Sequence, residues 1–195
     1  MFPISEDCTA FLIADVSGKG IGAALLATML QGALSGMTIG ADPARVFQHI
    51  NRFLCEHAEV GRYATVFFGI VNRDGELEYI NAGHPSPLLL RRGETSEPFG
   101  EGGFPVGLIP EATYAVSHAK LDPGDTEILF SDGVTEAMDP DEQLYGVARL
   151  REAVAGRQDV PLDEMQQTIL DSVHTFTRGA SQADDITLLL VRYQG

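Results

Sequence analysis

The sequence predicts an α+β fold in which mainly antiparallel sheets are flanked by helices. Three observations predict it: an N-terminal pair of helical patterns, a central run of strand patterns joined by turns, and two further helical patterns before a closing strand. The regular strand–helix alternation of parallel α/β folds is absent from this order. With 195 residues, 44% of them hydrophobic, the chain is long enough for one domain with a sizeable core, and we expect a single domain over residues 1–195.

The N-terminal third contains a strand, a glycine loop and two helices. Residues 11–14 end an apolar strand, and residues 18–22 form the loop. Apolar residues recur every four positions over 21–37, which predicts a helix that Gly36 and Gly40 end. Asp42 and Pro43 then supply an N-cap and a first-turn proline, and they start a second helix with an apolar face from Val46 to Leu54.

The middle of the chain changes to the period of β-structure. Residues 64–71 are rich in β-branched and aromatic side chains, and the turn at 72–75 leads into a strand at 77–81. A third strand follows at 86–91, and sequential hairpins predict antiparallel pairing of all three. The later predicted elements are a loop at 99–110, strands at 114–119, 127–130 and 186–193, and helices at 146–155 and 161–176.

Charge and composition exclude several classes of partner. The net charge of −15 and the pI near 4.5 argue against nucleic acid or an anionic membrane surface as the main partner. No apolar stretch approaches the roughly 20 residues that cross a bilayer. Cys8 and Cys55 have neither disulfide nor metal-ligand spacing, which favours two core thiols in a reducing, cytoplasmic compartment.

Three aspartates stand where predicted strands meet turns. Asp15 and Asp132 follow apolar strands, and Asp184 stands just before one. Each alone is best explained as a turn or cap residue. Carboxylates that converge from distant strand ends repel one another unless a cation lies between them, and hard oxygen ligands favour Mg²⁺ or Mn²⁺. The three together therefore predict a metal site that would attract a phosphate ester.

The glycine loop after Asp15 does not match a nucleotide-binding motif. A dinucleotide loop has its acid about 20 residues further on, and not in front of the glycines. A P-loop needs an earlier glycine and a Ser or Thr after the lysine, and Lys19 is followed by Gly20. The glycines instead predict a tight turn beside a metal ion, with the Val16 carbonyl free to coordinate it.

Six ordered motifs spread over nearly the whole chain resemble the bacterial PPM-type metal-dependent serine/threonine phosphatases, and among them the SpoIIE-like regulators of sigma factors. The motifs are DVSGKG (15–20), NAGHPSPLLLRRG (81–93), PVGL (105–108), LDPGDTEILFSDGVTEA (121–137), YGVARL (145–150) and ADDITLLLVRY (183–193). This resemblance implies an α-β-β-α sandwich with a binuclear Mn²⁺ or Mg²⁺ centre at one edge. It also implies that Asp15 bridges the metals and that the Val16 carbonyl, Asp132 and Asp184 are further ligands. Asp185 is a candidate ligand of second rank. Asp15, Asp132 and Asp184 are the predicted catalytic residues.

The same resemblance implies a role in signalling. It predicts hydrolysis of phosphoserine or phosphothreonine on an anti-anti-sigma (STAS) protein, by a phosphatase that follows a sensor or receiver domain in a longer cytoplasmic protein. The helix pair over 21–57 matches the region through which such domains are switched. His84, in the NAGH motif, has two open interpretations: it hydrogen-bonds near the active edge, or it only fixes a turn after a strand.

One departure from the family pattern concerns the N-terminus. Relatives carry a GGDxxD-like strand with a further acid before DVSGKG, and this chain begins at Met1 inside the hairpin that should follow it. We therefore expect a fold truncated at its N-terminal strand, with an edge that favours homodimers. The alternative function is a catalytically impaired phosphatase-like module that acts by docking to a partner.

Overall fold

Two antiparallel sheets, each with its own helices, make up the fold. The computed structural model describes residues 1–35, 42–59, 61–100, 102–180, 182 and 184–195. Unit 1 comprises Met1–His84 and Glu101–Lys120, and unit 2 comprises Pro85–Gly100 and Leu121–Gly195. The predicted class, α+β with two antiparallel sheets and flanking helices, is confirmed. The prediction of a single domain over 1–195 stays a prediction.

The elements follow one another along the chain with short connections. They are β1 (Phe2–Pro3), β2 (Cys8–Val16), α1 (Ile21–Ser35), α2 (Pro43–His57), β3 (Ala64–Asn72), β4 (Glu76–Ala82), β5 (Leu88–Arg91), β6 (Glu94–Ser96), β7 (Ser117–Lys120), β8 (Thr126–Phe130), α3 (Asp132–Thr135), α4 (Gly146–Val154), α5 (Leu162–Thr177) and β9 (Leu188–Arg192). No helix in these described ranges combines the length and the apolar character that a bilayer span requires.

Unit 1 is a five-stranded sheet with α1 and α2 on one face. The strand order is β1-β2-β3-β4-β7, and the long β2–β3 ladder runs from Cys8↔Asn72 to Val16↔Ala64. Every second residue of these strands packs with the helices, as the period of two requires. The core of unit 1 includes Ala10, Leu26, Leu30, Leu34, Phe47, Ile50, Leu54, Ala64, Val66, Phe68, Ile80 and Ala82.

Helix α2 is fixed at its start and at its middle by polar side chains. Asp42 accepts a hydrogen bond from the Ala44 N–H at 3.0 Å, which confirms the predicted N-cap. The buried Asn51 amide donates to the Ile109 carbonyl at 2.8 Å and accepts from the Gly107 N–H at 2.8 Å. The loop that contains the PVGL motif is therefore held against α2.

Unit 2 is a four-stranded sheet in the order β6-β5-β8-β9, packed on α4 and α5. Its strands are short, and the core depends on large side chains from the two helices. That core includes Leu88, Leu90, Ile128, Phe130, Val134, Tyr145, Leu150, Val154, Met165, Ile169 and Val173.

Most of the predicted elements are found, but the predicted pairing of the third strand was wrong. β5 does not continue the meander from β4; it pairs with β6 and β8 in the other sheet. Pro85 and Pro87 precede it, and proline cannot donate a ladder hydrogen bond, so no tight hairpin forms there. The strand predicted at 114–119 begins only at Ser117, and the predicted helix end at Gly36 and Gly40 lies outside the described residues.

The N-terminal edge of unit 1 carries one very short strand. β1 pairs with β2 only through Phe2↔Ala10 and Pro3↔Thr9. Along the rest of β2, the pairing that the described residues show is with β3. The predicted truncation at the N-terminal strand stays a prediction.

Candidate metal centre

In unit 1, the predicted ligand Asp15 lies near the end of a regular ladder. It stands directly opposite Thr65, and its neighbours Ala14 and Val66 pack with the α1/α2 core. Because side chains alternate along a strand, Asp15 and Thr65 share the sheet face that points away from these helices. Asp15 is half-buried there, and Val16, the predicted carbonyl ligand, is the last residue of β2 and pairs with Ala64.

The glycine loop after Asp15 is anchored to the residues that lead into β3. Ser17 exchanges hydrogen bonds with Tyr63: its N–H donates to the Tyr63 carbonyl at 2.9 Å, and its hydroxyl accepts from the Tyr63 N–H at 2.9 Å. The Arg62 guanidinium donates to the Ser17 carbonyl at 3.1 Å and pairs with Glu59 at 3.2 Å. Gly18 has φ +82°, a left-handed conformation that suits glycine. The loop is thus a fixed turn beside Asp15.

In unit 2, the segments that carry the other predicted ligands meet at Ser131. The Ser131 hydroxyl donates to the Asp185 carbonyl at 3.0 Å and accepts from the Thr187 N–H at 2.9 Å. The Ser131 N–H donates to the Thr187 carbonyl at 3.0 Å. These three bonds join the end of β8 to the segment that leads into β9, so Asp132 lies next to the Asp184–Asp185 pair.

Gly133 allows the backbone of Asp184 and Asp185 to lie close to the start of α3. A β-carbon at this position would overlap the Asp185 carbonyl oxygen and lie 2.9 Å from the carbonyl carbon, closer than real β-carbons come to backbone. Gly133 is buried, and the atoms it meets are backbone atoms that cannot rotate away. The glycine of the SDG sequence is therefore required by packing against the aspartate segment.

The carboxylates in unit 2 differ in their surroundings. Asp132 is half-buried, and its Oδ1 is buried without a hydrogen-bond partner among the described residues. Asp184 and Asp185 are exposed; the Asp184 Oδ1 accepts from the Asp185 N–H at 2.9 Å, and its carbonyl accepts from Gln182 at 2.8 Å. An unpaired buried carboxylate oxygen is costly unless a further partner satisfies it.

The chemistry of the donor atoms present suits a hard divalent cation. Carboxylate and carbonyl oxygens are the ligands that Mg²⁺ and Mn²⁺ prefer, and the buried Asp132 Oδ1 is an oxygen that a cation would satisfy. Within the described ranges, no group of three His, Cys, Asp or Glu side chains is gathered closely enough to hold a metal ion. The ligand set read from the motifs therefore remains a prediction.

Two residues near the glycine loop and Asp15 were not predicted from the sequence. Thr65 is the cross-strand neighbour of Asp15, and its hydroxyl lies 2.9 Å from Nδ1 of the buried His84. Arg62, in the segment that leads into β3, secures the glycine loop by donating to the Ser17 carbonyl. The register of β2 on β3 is the signal that would have identified both, but register is not readable from either strand alone.

Comparison with known proteins identifies the family of this chain. A sequence profile of the family described as Stage II sporulation protein E (SpoIIE) matches residues 5–194. Phosphoserine phosphatase RsbU of Bacillus subtilis (strain 168) is 30% identical over 183 residues, which cover 92% of this chain and 54% of RsbU. The chain spans between 34% and 54% of the length of the first curated relatives that it matches.

Solved structures show the same fold. The SiaA-PP2C domain of Pseudomonas aeruginosa superposes with a TM-score of 0.86 at 20% identity, over 100% of this chain and 79% of that one. RsbX, crystallised in complex with magnesium, superposes with a TM-score of 0.65 at 19% identity, over 95% of this chain and 81% of that one. The profile match covers almost the whole chain, and the predicted family is confirmed: this chain belongs to the SpoIIE family of PP2C-type phosphatase domains.

Proposed function

We propose that this chain is a Mn²⁺- or Mg²⁺-dependent phosphatase that hydrolyses phosphoserine or phosphothreonine on a regulatory protein. The observation that carries the proposal is the arrangement in unit 2. Ser131 and Gly133 bring Asp132 beside Asp184 and Asp185, and one Asp132 oxygen is buried without a hydrogen-bond partner among the described residues. A protein gains nothing in stability from such an oxygen, whereas a cation ligand needs one.

The residues that would hold two metal ions are those the motifs predict: Asp15, the Val16 carbonyl, Asp132, Asp184 and Asp185. Such a pair of ions, when bound, supplies a nucleophilic water near neutral pH and neutralises charge on the phosphoryl oxygens. Asp132 and Asp184 contribute negative charge at a fixed position. The Ser131 hydroxyl holds the Asp185 carbonyl, and the Gln182 amide holds the Asp184 carbonyl. The fixed turn at residues 17–20 keeps the backbone beside Asp15 in place.

The proposed substrate is a phosphorylated anti-anti-sigma protein of the STAS type. RsbU, the relative at 30% identity, is named a phosphoserine phosphatase, and the motifs resemble the regulators of sigma factors. A protein substrate also agrees with the strong acidity of this chain, since a net charge of −15 disfavours a polyanion such as nucleic acid. Release of phosphate from the STAS protein would then reset a partner switch that controls transcription.

The test compares Asp132→Asn with the parent chain. Asparagine has nearly the shape of aspartate but lacks its charge, so we expect Mn²⁺ affinity to fall and kcat/KM for a phosphoserine peptide to drop on the order of 100-fold. Hydrolysis is measured with MnCl₂ titrated in, first on p-nitrophenyl phosphate and then on the peptide. Mn²⁺ binding is measured separately by calorimetry.

Asp163→Asn is the matched control. Asp163 is an exposed acid in the first turn of α5, and the same change of charge there should leave metal binding and hydrolysis unaltered. Equal activity of Asp132→Asn and the parent chain would contradict the proposal. A parent chain that neither binds Mn²⁺ nor hydrolyses phosphate esters, in a form that includes any native upstream residues, would instead support a docking module.

A further inference from the structure

The NAGH motif builds a rigid turn directly after β4. The Asn81 amide donates to the His84 carbonyl at 3.0 Å, and the His84 N–H donates to Oδ1 of Asn81 at 2.8 Å. The Gly103 N–H donates to the Asn81 carbonyl at 2.8 Å, which ties the following loop to the same residue. Gly83 has φ +75°, and a β-carbon there would lie 2.8 Å from the Pro105 ring. Side chain, backbone and loop thus all define one conformation.

This turn fixes the position of the His84 imidazole. His84 is 3% exposed, and its Nδ1 lies 2.9 Å from the Thr65 hydroxyl oxygen in a hydrogen bond whose direction depends on the tautomer. The turn also brings Gly83 alongside Val66 in a parallel bridge, so the backbone of the motif is fixed to the strand that carries Thr65. A histidine that only terminated a strand would not need a buried partner on the neighbouring strand.

Thr65 contacts this histidine and is also the cross-strand neighbour of the predicted metal ligand Asp15. It stands opposite Asp15 in the β2–β3 ladder, on the same sheet face, and β-carbons of such pairs lie about 4.5–5.5 Å apart. If Nδ1–H of His84 donates to the Thr65 oxygen, the Thr65 O–H remains available to donate to another acceptor, and Asp15 is the residue that the ladder places opposite it. Ligating carboxylates are commonly oriented by such hydrogen bonds.

We propose that His84 is a positioning residue that acts through Thr65 to orient the Asp15 carboxylate. The inference rests on the proposed metal-dependent function and names a residue pair that the motif-derived ligand set does not contain. It explains why the NAGH turn, which contributes none of the predicted ligands, is built with so many backbone constraints. It requires no change in the protonation of His84 during the reaction.

The test removes each member of the pair and then restores it. Thr65→Val keeps the shape and deletes the hydroxyl, and His84→Gln places its amide nearer the position of Nε2 than of Nδ1. We expect each variant to bind Mn²⁺ about 10-fold more weakly and to lower kcat with little change in KM for the phosphopeptide. Thr65→Ser and His84→Asn, which retain the hydroxyl and an amide near the position of Nδ1, should recover most of the loss.

A double variant and a control variant distinguish a positioning role from a role in folding. The double variant Thr65→Val/His84→Gln should be no worse than either single variant, because both break the same connection. Thr168→Val is the control, since it deletes a hydroxyl that bonds a helix carbonyl in unit 2. Melting temperatures are measured for every variant, so that loss of metal affinity is compared only among folded proteins.

The outcomes separate this inference from the function on which it rests. If the parent chain binds Mn²⁺ and hydrolyses the peptide while Thr65→Val and His84→Gln match it in both measurements, the positioning role is overturned and the phosphatase stands. If both variants lose affinity and the conservative pair does not recover it, the residues are structural and the role is again overturned. If the parent chain does not bind Mn²⁺, the proposed function fails first and the positioning role fails with it.

Discussion

The two units of the chain hold their acidic side chains in different ways. In unit 1, Asp15 is half-buried within a continuous nine-residue strand, and backbone pairing on β3 determines its position. In unit 2, Asp132, Asp184 and Asp185 lie outside the strands, and the hydroxyl of Ser131 and the absence of a side chain at Gly133 determine their proximity. Many ladder hydrogen bonds together fix the position of Asp15, whereas the proximity of the acids in unit 2 depends on single residues.

The two units also differ in their buried carboxylates. Among the described residues, the buried acids Asp125, Glu127 and Asp139 all belong to unit 2. Asp125 pairs with Arg91 at 2.5 Å, and Asp139 accepts from the Gln143 N–H at 2.9 Å and pairs with Arg178 at 3.1 Å. Both oxygens of Glu127 are buried without a hydrogen-bond partner in the described part of the chain. We therefore expect unit 2 to be the more sensitive to single substitutions and to pH.

The largest expected effect comes from Gly133→Ala. The new methyl group would overlap the Asp185 carbonyl and displace the aspartate segment from Asp132. A displacement near 1 Å at a reacting centre costs on the order of 100-fold in rate, so kcat/KM for a phosphoserine peptide should fall by about that factor. Overpacking should also lower the free energy of unfolding by about 1–3 kcal/mol.

Gly32→Ala is its counterpart in unit 1. Gly32 lies within α1 with nothing within 4 Å of the position its β-carbon would take, so alanine should stabilise the helix by about 1 kcal/mol and leave activity unchanged. Both variants are compared by urea denaturation and by kcat/KM. Retention of parent-level activity by Gly133→Ala would show that the aspartate segment adapts more readily than its backbone contacts indicate.

The next effect is a dependence of stability on pH. Burial, with a smaller contribution from nearby Asp125, raises the pKa of Glu127 from its ordinary 4.5 to about 8. Since the folded state favours the protonated carboxyl, this stabilisation is complete below pH 4.5 and is lost as the pH rises to about 8. Between pH 5.5 and 8, Glu127 should account for a loss of about 3 kcal/mol in the free energy of unfolding.

Glu127→Gln has no charge to desolvate, so its stability should change less over the same range. Urea denaturation at several pH values measures both slopes, and Glu136→Gln, an exposed acid after α3, provides the control. Parallel slopes for Glu127→Gln and the parent chain would mean that the carboxyl is not the source of the dependence.

The smallest effect compares two serines with similar bonds. Ser131 is 1% exposed, and Ser131→Ala would remove two hydrogen bonds, to the Asp185 carbonyl and from the Thr187 N–H, which should cost about 1–2 kcal/mol of unfolding free energy. Ser17 is half-buried, and after Ser17→Ala water can replace its bond to the Tyr63 N–H, so we expect about 0.5 kcal/mol. Urea denaturation measures the difference. Equal costs would remove the contrast between the two units.

Much of the local structure and part of the site could be predicted from the sequence. Asp42 and Pro43 marked the start of α2, and the turn at 72–75 marked the β3–β4 hairpin, because caps and tight turns depend on a few adjacent residues. The SDG and ADD sequences indicated two segments whose backbones meet at Ser131 and Gly133, and the role of their aspartates as metal ligands stays a prediction. The small elements β6 and α3 carried too short a pattern to be found.

The sequence by itself determined the fold class, the family and the acids that belong to its motifs, since these depend on periodicity, turn chemistry and ordered strings that each segment carries within itself. Only the tertiary structure decided that β5 leaves the meander, that Thr65 faces Asp15, that Ser131 joins two distant segments and that Glu127 is buried without a partner in the described part of the chain. The physical reason is that strand register and burial are properties of pairs of segments. The free energy that selects them arises only when both segments meet.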